Sequence, residues 1–373
     1  MKGFGKTCTA WLLSVTLLCS VVLCGCNSVS QTLYTTTYID VFDTVLSLQI
    51  AARSRSAAED AATATHERLL DLHRQFDIYH DWTDGNNLKT VNDHAGDGKA
   101  VPVSEDILKL LKLGRIAYDF SKGQVNICMG AVLSLWHAAR ENGVLTDEDT
   151  LRRAALHTSF DVLVIDTGSH AVRLTDSEAS LDVGAIAKGY AAAQAADILR
   201  GRVESGELTG VLLDFGGQIL ALGCRTDEVP WTVGVRDPRP DDGILDDSRY
   251  NGSLASCEVR DMNIVTSGVD QRSVTVGGIR YHHLIDPKTL YPGSIYLSVT
   301  VLVPDYAVCR FGSETIEATA VADALSTALF LLPEQDGKEL LSRVPGATAL
   351  WVTTDGQVIR SDNWNTVTEK TWS

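Results

Sequence analysis

An α+β fold follows from three features of the sequence. Short β-rich runs and helical runs are interspersed without regular β-α-β alternation. Two pairs of strand runs are joined by tight glycine-containing turns, the mark of antiparallel hairpins. The 373 residues, 45% hydrophobic and 21% charged, are enough for one large domain or two lobes sharing a core. That balance excludes a disordered chain, a coiled coil and a collagen-like repeat.

Taken in order, the chain begins with Lys2 and Lys6 ahead of an uncharged apolar stretch, residues 7–25. A positive start, an apolar centre and small residues at the end predict a secretory signal peptide over 1–25. The run also approaches the ~20 residues of a spanning helix, so an uncleaved anchor is the alternative. L-C-G-C at residues 23–26 resembles the bacterial lipoprotein box, which makes Cys26 the expected lipid carrier. Either reading puts the folded part outside the cytoplasmic membrane, and the lipobox implies anchoring to the bacterial cell membrane by lipid. Residues 26–37, rich in Ser and Thr, suit a tether, leaving a domain over 38–365.

Alternation over 38–51 predicts a strand interrupted at F-D-T, residues 42–44. Residues 57–76, with Leu69, Leu72 and Phe76 at helical spacing, predict a helix. Ser104 followed by Glu105 and Asp106 opens a second helix. Short strands are expected over 162–165 and 171–174, then an Ala-rich helix over 186–199 and a Gly-Gly hairpin over 211–223. Strands follow over 231–235, 264–266, 280–285 and 296–303, a helix over 318–332, and a closing hairpin over 350–361.

Thirty-two Lys and Arg against 48 Asp and Glu give a net charge of −16, which disfavours nucleic acid and anionic membrane as partners. A nucleotide ligand would need local basic residues or a metal. Of eight cysteines, Cys128, Cys224, Cys257 and Cys309 remain beyond Cys26. Their irregular spacing suggests neither a zinc site nor a redox dithiol; buried free thiols are expected, with one or two disulfides, not assignable from the sequence, as the alternative.

Three segments could carry chemistry. In L-D-V-G-A-I-A-K-G-Y-A (181–191), Lys188 sits in the first turn of a helix, where a cation opposes the dipole unless an anion offsets it. A phosphate is one such partner; a solvated lysine in an ordinary loop is the other reading. In A-D-A-L-S-T-A-L (322–329), Asp323 and Thr327 share a helix face and could give oxygen ligands to Mg²⁺. Alternatively, Asp323 caps the helix and Thr327 bonds back to a carbonyl. In R-Y-H-H-L-I-D-P-K-T-L-Y-P (280–292), the adjacent His282 and His283 project to opposite faces of a strand, so at most one enters a site. Just upstream, I-V-T-S-G-V-D brings Asp270 to a strand end.

With D-F-G-G-Q-I (214–219), these motifs resemble the ApbE family of FAD:protein FMN transferases from Tyr38 to about Asp362. The resemblance implies antiparallel sheets flanked by helices. It implies cleavage of FAD, transfer of FMN through a phosphoester to a Thr or Ser of an extracytoplasmic acceptor protein, and release of AMP. It implies Mg²⁺ held by the main chain at Ala185 with Asp323 and Thr327. FAD contacts are implied at Phe42, Tyr79, Asp182, Lys188, His283 and Ile285, and at Met129 and Gly130. Where many members have F-D-I-T-V-G-P-L-V, residues 125–133 read V-N-I-C-M-G-A-V-L, and a usual Thr-Gly is Thr289-Leu290. Residues 308–317 resemble a small insertion. His283 and Asp270 are the two candidate bases, and Lys188 the cation facing the pyrophosphate. The competing functions are a pyrophosphatase that hydrolyses FAD to FMN and AMP, and a flavin-binding lipoprotein without turnover.

Overall fold

The computed structural model describes residues 31–226, 228–239, 253–270, 272–311 and 314–364. The signal segment and Cys26 lie outside the described residues. The chain opens with a hairpin of β1 (Thr32–Val41) and β2 (Thr44–Ala52), so the interruption at F-D-T is a turn between two strands. Because β1 begins at Thr32, residues 32–37 belong to the sheet and not to the expected tether. The Thr-rich composition that suited a linker suits a strand equally well.

Ser54 caps α1 (Arg55–Phe76) by accepting from the Ala57 amide, and the helix buries Ala58, Ala61, Ala62, Leu69, Leu72 and Phe76 along one stripe. Next come α2 (Leu88–Asp93), β3 (Val101–Pro102) and α3 (Glu105–Phe120), the last capped by Ser104 with Glu105 and Asp106 in its first turn, as the sequence predicts. α4 (Gly130–Asn142) and α5 (Glu148–Ala155) were not legible in advance; α4 has no side-chain cap to mark its start. β4 (Leu163–Asp166) and β5 (Ala171–Leu174) join β3 in a small sheet of order β3-β5-β4.

α6 (Ala187–Glu204) leads into the hairpin of β6 (Leu208–Phe215) and β7 (Gln218–Gly223), turned by Gly216 and Gly217. β8 (Trp231–Arg236) pairs with β9 (Ser253–Val259), β10 (Met262–Gly268) follows, and β11 (Ser273–Val276) pairs with β12 (Ile279–His282). β12 stops three residues short of the expected 285, because the Leu284 amide turns back to donate to His282 Nδ1 at 3.2 Å. β13 (Tyr296–Pro304) precedes β14 (Val308–Phe311) and β15 (Glu314–Glu317), a hairpin that occupies the insertion. α7 (Ala318–Leu331), α8 (Glu334–Leu341) and the hairpin of β16 (Thr348–Thr353) and β17 (Val358–Arg360) close the fold.

Eight strands form one antiparallel sheet in the order β1-β2-β6-β7-β10-β13-β16-β17. Helices α1, α6 and α7 cover one face, with Leu48, Phe215, Leu199, Leu325 and Phe330 in the shared core. The β8–β9 hairpin packs Trp231, Val233 and Cys257 on the other face. The architecture is α+β, antiparallel sheets flanked by helices. All four cysteines of the domain are free thiols, and three of them are buried. Among the described residues, no helix is long and apolar enough to cross a membrane.

Every residue of α7 is buried, including its single charge, Asp323. Burying a leucine or phenylalanine there contributes about 1.5–3 kcal/mol each, so the helix is fixed by its neighbours on all sides. A satellite cluster of Met129, Val132, Trp136, Leu151 and Ile285 ties α4 and α5 to the segment after β12, reinforced by Trp136 Nε1 donating to the Leu290 carbonyl at 2.9 Å. Leu290 stands where the sequence lacks the expected glycine and adopts φ 66°, so the turn keeps a left-handed residue without Gly.

Candidate functional site

The α6–α7 crossing builds one end of the site. The first turn of α6 runs so close to α7 that a Cβ on Gly189 would lie 2.7 Å from Asp323 Cβ; only glycine fits. That approach lets Asp323 Oδ2 accept the Gly189 amide at 3.0 Å, while Lys188 Nζ lies 3.3 Å from Oδ1 and 3.4 Å from Oδ2. The anion that the sequence demands in front of Lys188 is, in this structure, Asp323. A carboxylate only 4% exposed is thus held by one amide and one ammonium.

The structure decides between the local readings of α7. Glu317 is the N-cap, so Asp323 is interior to the helix. Ser326, not Thr327, bonds back to a carbonyl, that of Asp323 at 2.9 Å. Asp323 and Thr327 instead line a cavity of about 540 Å³ together with Ala185, Asp182, Lys188 and His283. In a regular first turn the Gly189 amide would bond the Ala185 carbonyl; because it goes to Asp323, no backbone amide among the described residues claims that carbonyl. Carboxylate, hydroxyl and free carbonyl make an oxygen-only set, which fits a hard cation such as Mg²⁺. Among the described residues no group of three or more His, Cys, Asp and Glu offers an alternative metal centre.

His282 and His283 part company as expected, although β12 ends at His282 and His283 follows it. His282 donates through Nε2 to the Gly293 carbonyl at 2.8 Å and packs edge-on against Phe330. His283 lines the cavity, and its Nδ1 is buried without a hydrogen-bond partner. Burial first, then the charges of His282, Lys188, Arg272 and Arg140, push the His283 pKa down to about 3. Asp270 is placed differently: it pairs with Arg236 at 2.7 Å and does not line the cavity.

The opposite end of the cavity comes from segments far apart in sequence. Asp77, just after α1, accepts from the Tyr79 amide at 2.7 Å and Trp82 Nε1 at 2.9 Å, which folds the loop and presents Tyr79. The Tyr79 hydroxyl meets His137 Nδ1 of α4 at 2.8 Å, and His137 Nε2 lies 3.7 Å from Asp182 Oδ2. Burial and the Asp182 charge push the Tyr79 pKa up to about 12, so its hydroxyl stays protonated. Asp182 also accepts the Gly184 amide at 2.9 Å, fixing the loop into α6.

Phe42 lines the same cavity from the β1–β2 turn, where Phe42 and Asp43 have φ 52° and 51°. Such φ values strain non-glycine residues. Here the turn is held by the Phe42 amide donating to His73 Nδ1 at 3.1 Å and by the ring against Phe215 at 5.2 Å. Met129 and Ile285 line the cavity, whereas Gly130 does not: its amide donates to the Ser180 carbonyl at 3.0 Å, and a Cβ would lie 2.4 Å from that oxygen. Gly130 serves helix packing behind the site. Asn126 is likewise tied down, accepting from the Cys128 amide and donating to the Thr158 carbonyl, both at 2.9 Å. Sequence reasoning missed His73, His137, Arg140 and Arg272, all of which line the cavity. Only the spacing of His137 and Arg140, three apart on one helix, was a usable signal.

The ApbE family model matches residues 42–351. An FAD:protein FMN transferase of Treponema pallidum (strain Nichols) is 29% identical over 368 residues, 95% of this chain and 94% of its own. One from Klebsiella pneumoniae (strain 342) is 27% identical over 269 residues, 72% of this chain and 75% of its own. Among solved structures, the ApbE protein of Thermotoga maritima is similar with a TM-score of 0.74 at 26% identity, covering 91% of this chain and all of that one. Flavin transferase ApbE from Vibrio cholerae shares the fold, with a TM-score of 0.69 at 21% identity over 90% of this chain and 99% of its own. The matched span takes in every cavity-lining residue from Phe42 to Leu331, and by that match this chain belongs to the ApbE family.

Proposed function

We propose that this protein is an FAD:protein FMN transferase. The observation that supports the reading is the juxtaposition, at one end of an open cavity, of an oxygen-only donor set with Lys188 and an unpartnered His283. A hydroxyl of a Thr or Ser on an acceptor protein attacks the phosphorus on the flavin side of the FAD pyrophosphate. The bond from that phosphorus to the bridging oxygen breaks, FMN becomes phosphoester-linked to the acceptor, and AMP leaves with the oxygen.

The Ala185 carbonyl, Asp323 and Thr327 would hold Mg²⁺, which would supply neutralisation of charge on the pyrophosphate. Lys188 adds a cation beside it. His283 takes the hydroxyl proton, a role its place in the cavity lining favours over Asp270, which is already paired with Arg236. Burial, and after it the positive surroundings, depress His283 in the free protein; an anionic pyrophosphate offsets the second of these and raises its basicity. Tyr79 and Phe42 supply aromatic faces for the isoalloxazine.

The test is to incubate the protein with FAD, Mg²⁺ and candidate flavin-acceptor proteins and weigh the acceptor. A gain of one FMN with matching release of AMP supports transfer; FMN and AMP in solution with unmodified acceptor supports the pyrophosphatase; FAD left intact supports a non-catalytic binder.

Anchoring by lipid at Cys26, outside the cytoplasmic membrane, is part of the same proposal and rests on the L-C-G-C box. Cys26→Ser is expected to leave an unprocessed or released precursor. Normal processing and membrane retention of that variant, read by fractionation and intact mass, contradict it.

A further inference from the structure

Phe42 and Asp43, the two residues between β1 and β2, both have positive φ, the pattern of a two-residue hairpin turn of type I′. Asp tolerates that conformation; a bulky aromatic residue does not, and it persists there only where its surroundings over-determine it. A turn of this kind commonly closes through a bond between its flanking residues, here the paired Val41 and Thr44, and leaves the first central amide without a partner. The Phe42 amide finds its partner 31 residues away, in His73 Nδ1 at 3.1 Å.

His73 stands in the last turn of α1, between two rings: Phe42 at 5.6 Å and Trp82 at 5.8 Å, centroid to centroid. Trp82 is held in turn. Its indole donates to Asp77 Oδ2 at 2.9 Å, while Oδ1 of the same buried carboxylate accepts from the Tyr79 amide at 2.7 Å. One carboxylate therefore fixes both the backbone that presents Tyr79 and the ring that backs His73. Phe42, His73 and Tyr79 line the cavity, and Trp82 does not. Because Nδ1 accepts, the ring proton of a neutral His73 is on Nε2, and one side chain supplies both a lone pair to the turn and a ring to pack between its neighbours.

We propose that His73 is a positioning residue for the flavin ring: it ties the turn that carries Phe42 to the Asp77–Trp82 loop that carries Tyr79, so that the two aromatic contacts are set as one unit. This role rests on the flavin-transferase reading, which places the isoalloxazine against Phe42 and Tyr79. It adds that affinity for the ring depends on a side chain acting through Phe42, and on Trp82 behind it.

Fluorescence titrations with FAD and riboflavin test it on wild type, His73→Leu, Phe42→Leu and the double variant. Loss of one neutral hydrogen bond predicts roughly three- to tenfold weaker binding of both flavins by His73→Leu. The double variant is expected to bind no worse than Phe42→Leu, because the first residue acts through the second. His73→Asn, whose Oδ1 stands where Nδ1 stands, is expected to recover part of the loss. Trp82→Leu is expected to weaken both flavins although it is outside the cavity lining, and inhibition by AMP, which has no isoalloxazine, is expected to stay the same throughout. Unchanged FAD affinity in His73→Leu or in Trp82→Leu would overturn the assignment. So would additive losses in the double variant, which would make His73 a flavin contact in its own right, and so would a loss that His73→Asn does not recover or that extends to AMP, which would mean a damaged cavity. A wild type that transfers no FMN while these affinities follow the predicted pattern would refute the transferase reading and leave the role of His73 standing.

Discussion

The two ends of the cavity are built in opposite ways. At the α6–α7 crossing, Lys188, Gly189, Asp323 and Thr327 sit on helices packed so tightly that a single methyl on Gly189 would not fit. At the other end, Tyr79 is 53% exposed, and it meets His137, 58 residues away, through one hydrogen bond. The contrast separates two jobs. Charge placed for phosphoryl transfer must be held rigidly in a buried frame, because geometry errors there directly raise the barrier. A surface that admits a large ligand and then a protein needs access more than rigidity.

If that division is right, substitutions at the crossing act on turnover. Asp323→Asn is expected to lower the transfer rate by more than roughly a hundredfold at saturating FAD, since it removes the anionic oxygen donor. It keeps an acceptor for the Gly189 amide, so the fold is expected to persist, with an unchanged circular dichroism spectrum. Asp323→Ala is the poorer probe, because it strands that buried amide. Thr327→Val is expected to act in the same direction without touching the ion pair.

Lys188→Met sharpens the comparison further. The helix dipole alone predicts that losing this cation relieves strain, but the structure reverses the sign: Asp323 is buried and Lys188 is its only cationic partner among the described residues. The ligand-free variant is expected to lose about 1–3 kcal/mol of stability, less than for a fully buried pair because the lysine is partly exposed. Transfer is expected to slow roughly ten- to hundredfold. Urea denaturation without FAD, alongside the rate, reads both; a variant as stable as wild type would show that the pair contributes nothing.

How much of this was legible in the sequence follows the same division. The crossing was readable because L-D-V-G-A-I-A-K-G-Y and A-D-A-L-S-T-A are motifs whose resemblance to the family joins them in one site; the small residues that let the helices meet explain it only once the fold is seen. The far end was legible only in part: the resemblance named Tyr79 and Asp182, whereas His137 and Arg272 come from separate segments that nothing in the sequence ties to them. α4 escaped for want of a capping side chain, and with it went His137 and Arg140. Asp270 was attractive as a carboxylate at a strand end, but only the fold shows Arg236 beside it.

At the open end, Tyr79→Ala is expected to weaken FAD binding several-fold, an aromatic face being worth on the order of 1 kcal/mol beyond its area. The Mg²⁺ requirement of the rate is expected to be unchanged, and an unchanged FAD affinity would remove Tyr79 from the site. A further effect is one of stability with pH. His283 has a folded pKa near 3, below its ordinary value near 6.5. The unfolded chain therefore binds the extra proton first, and stability falls as pH drops from about 6.5 toward 3, with no contribution above that window. His283→Gln is expected to make that fall less steep in urea midpoints taken across the window; parallel curves would show that His283 is not a buried neutral base.

The most direct measurement sets the wild-type protein beside Asp323→Asn with FAD, Mg²⁺ and an acceptor protein, and follows acceptor mass and AMP together. The account predicts that wild type adds one FMN per acceptor with one AMP released, and that Asp323→Asn binds FAD but leaves the acceptor unmodified. Equal flavinylation by the two proteins would contradict it, as would AMP release by wild type without any gain in acceptor mass.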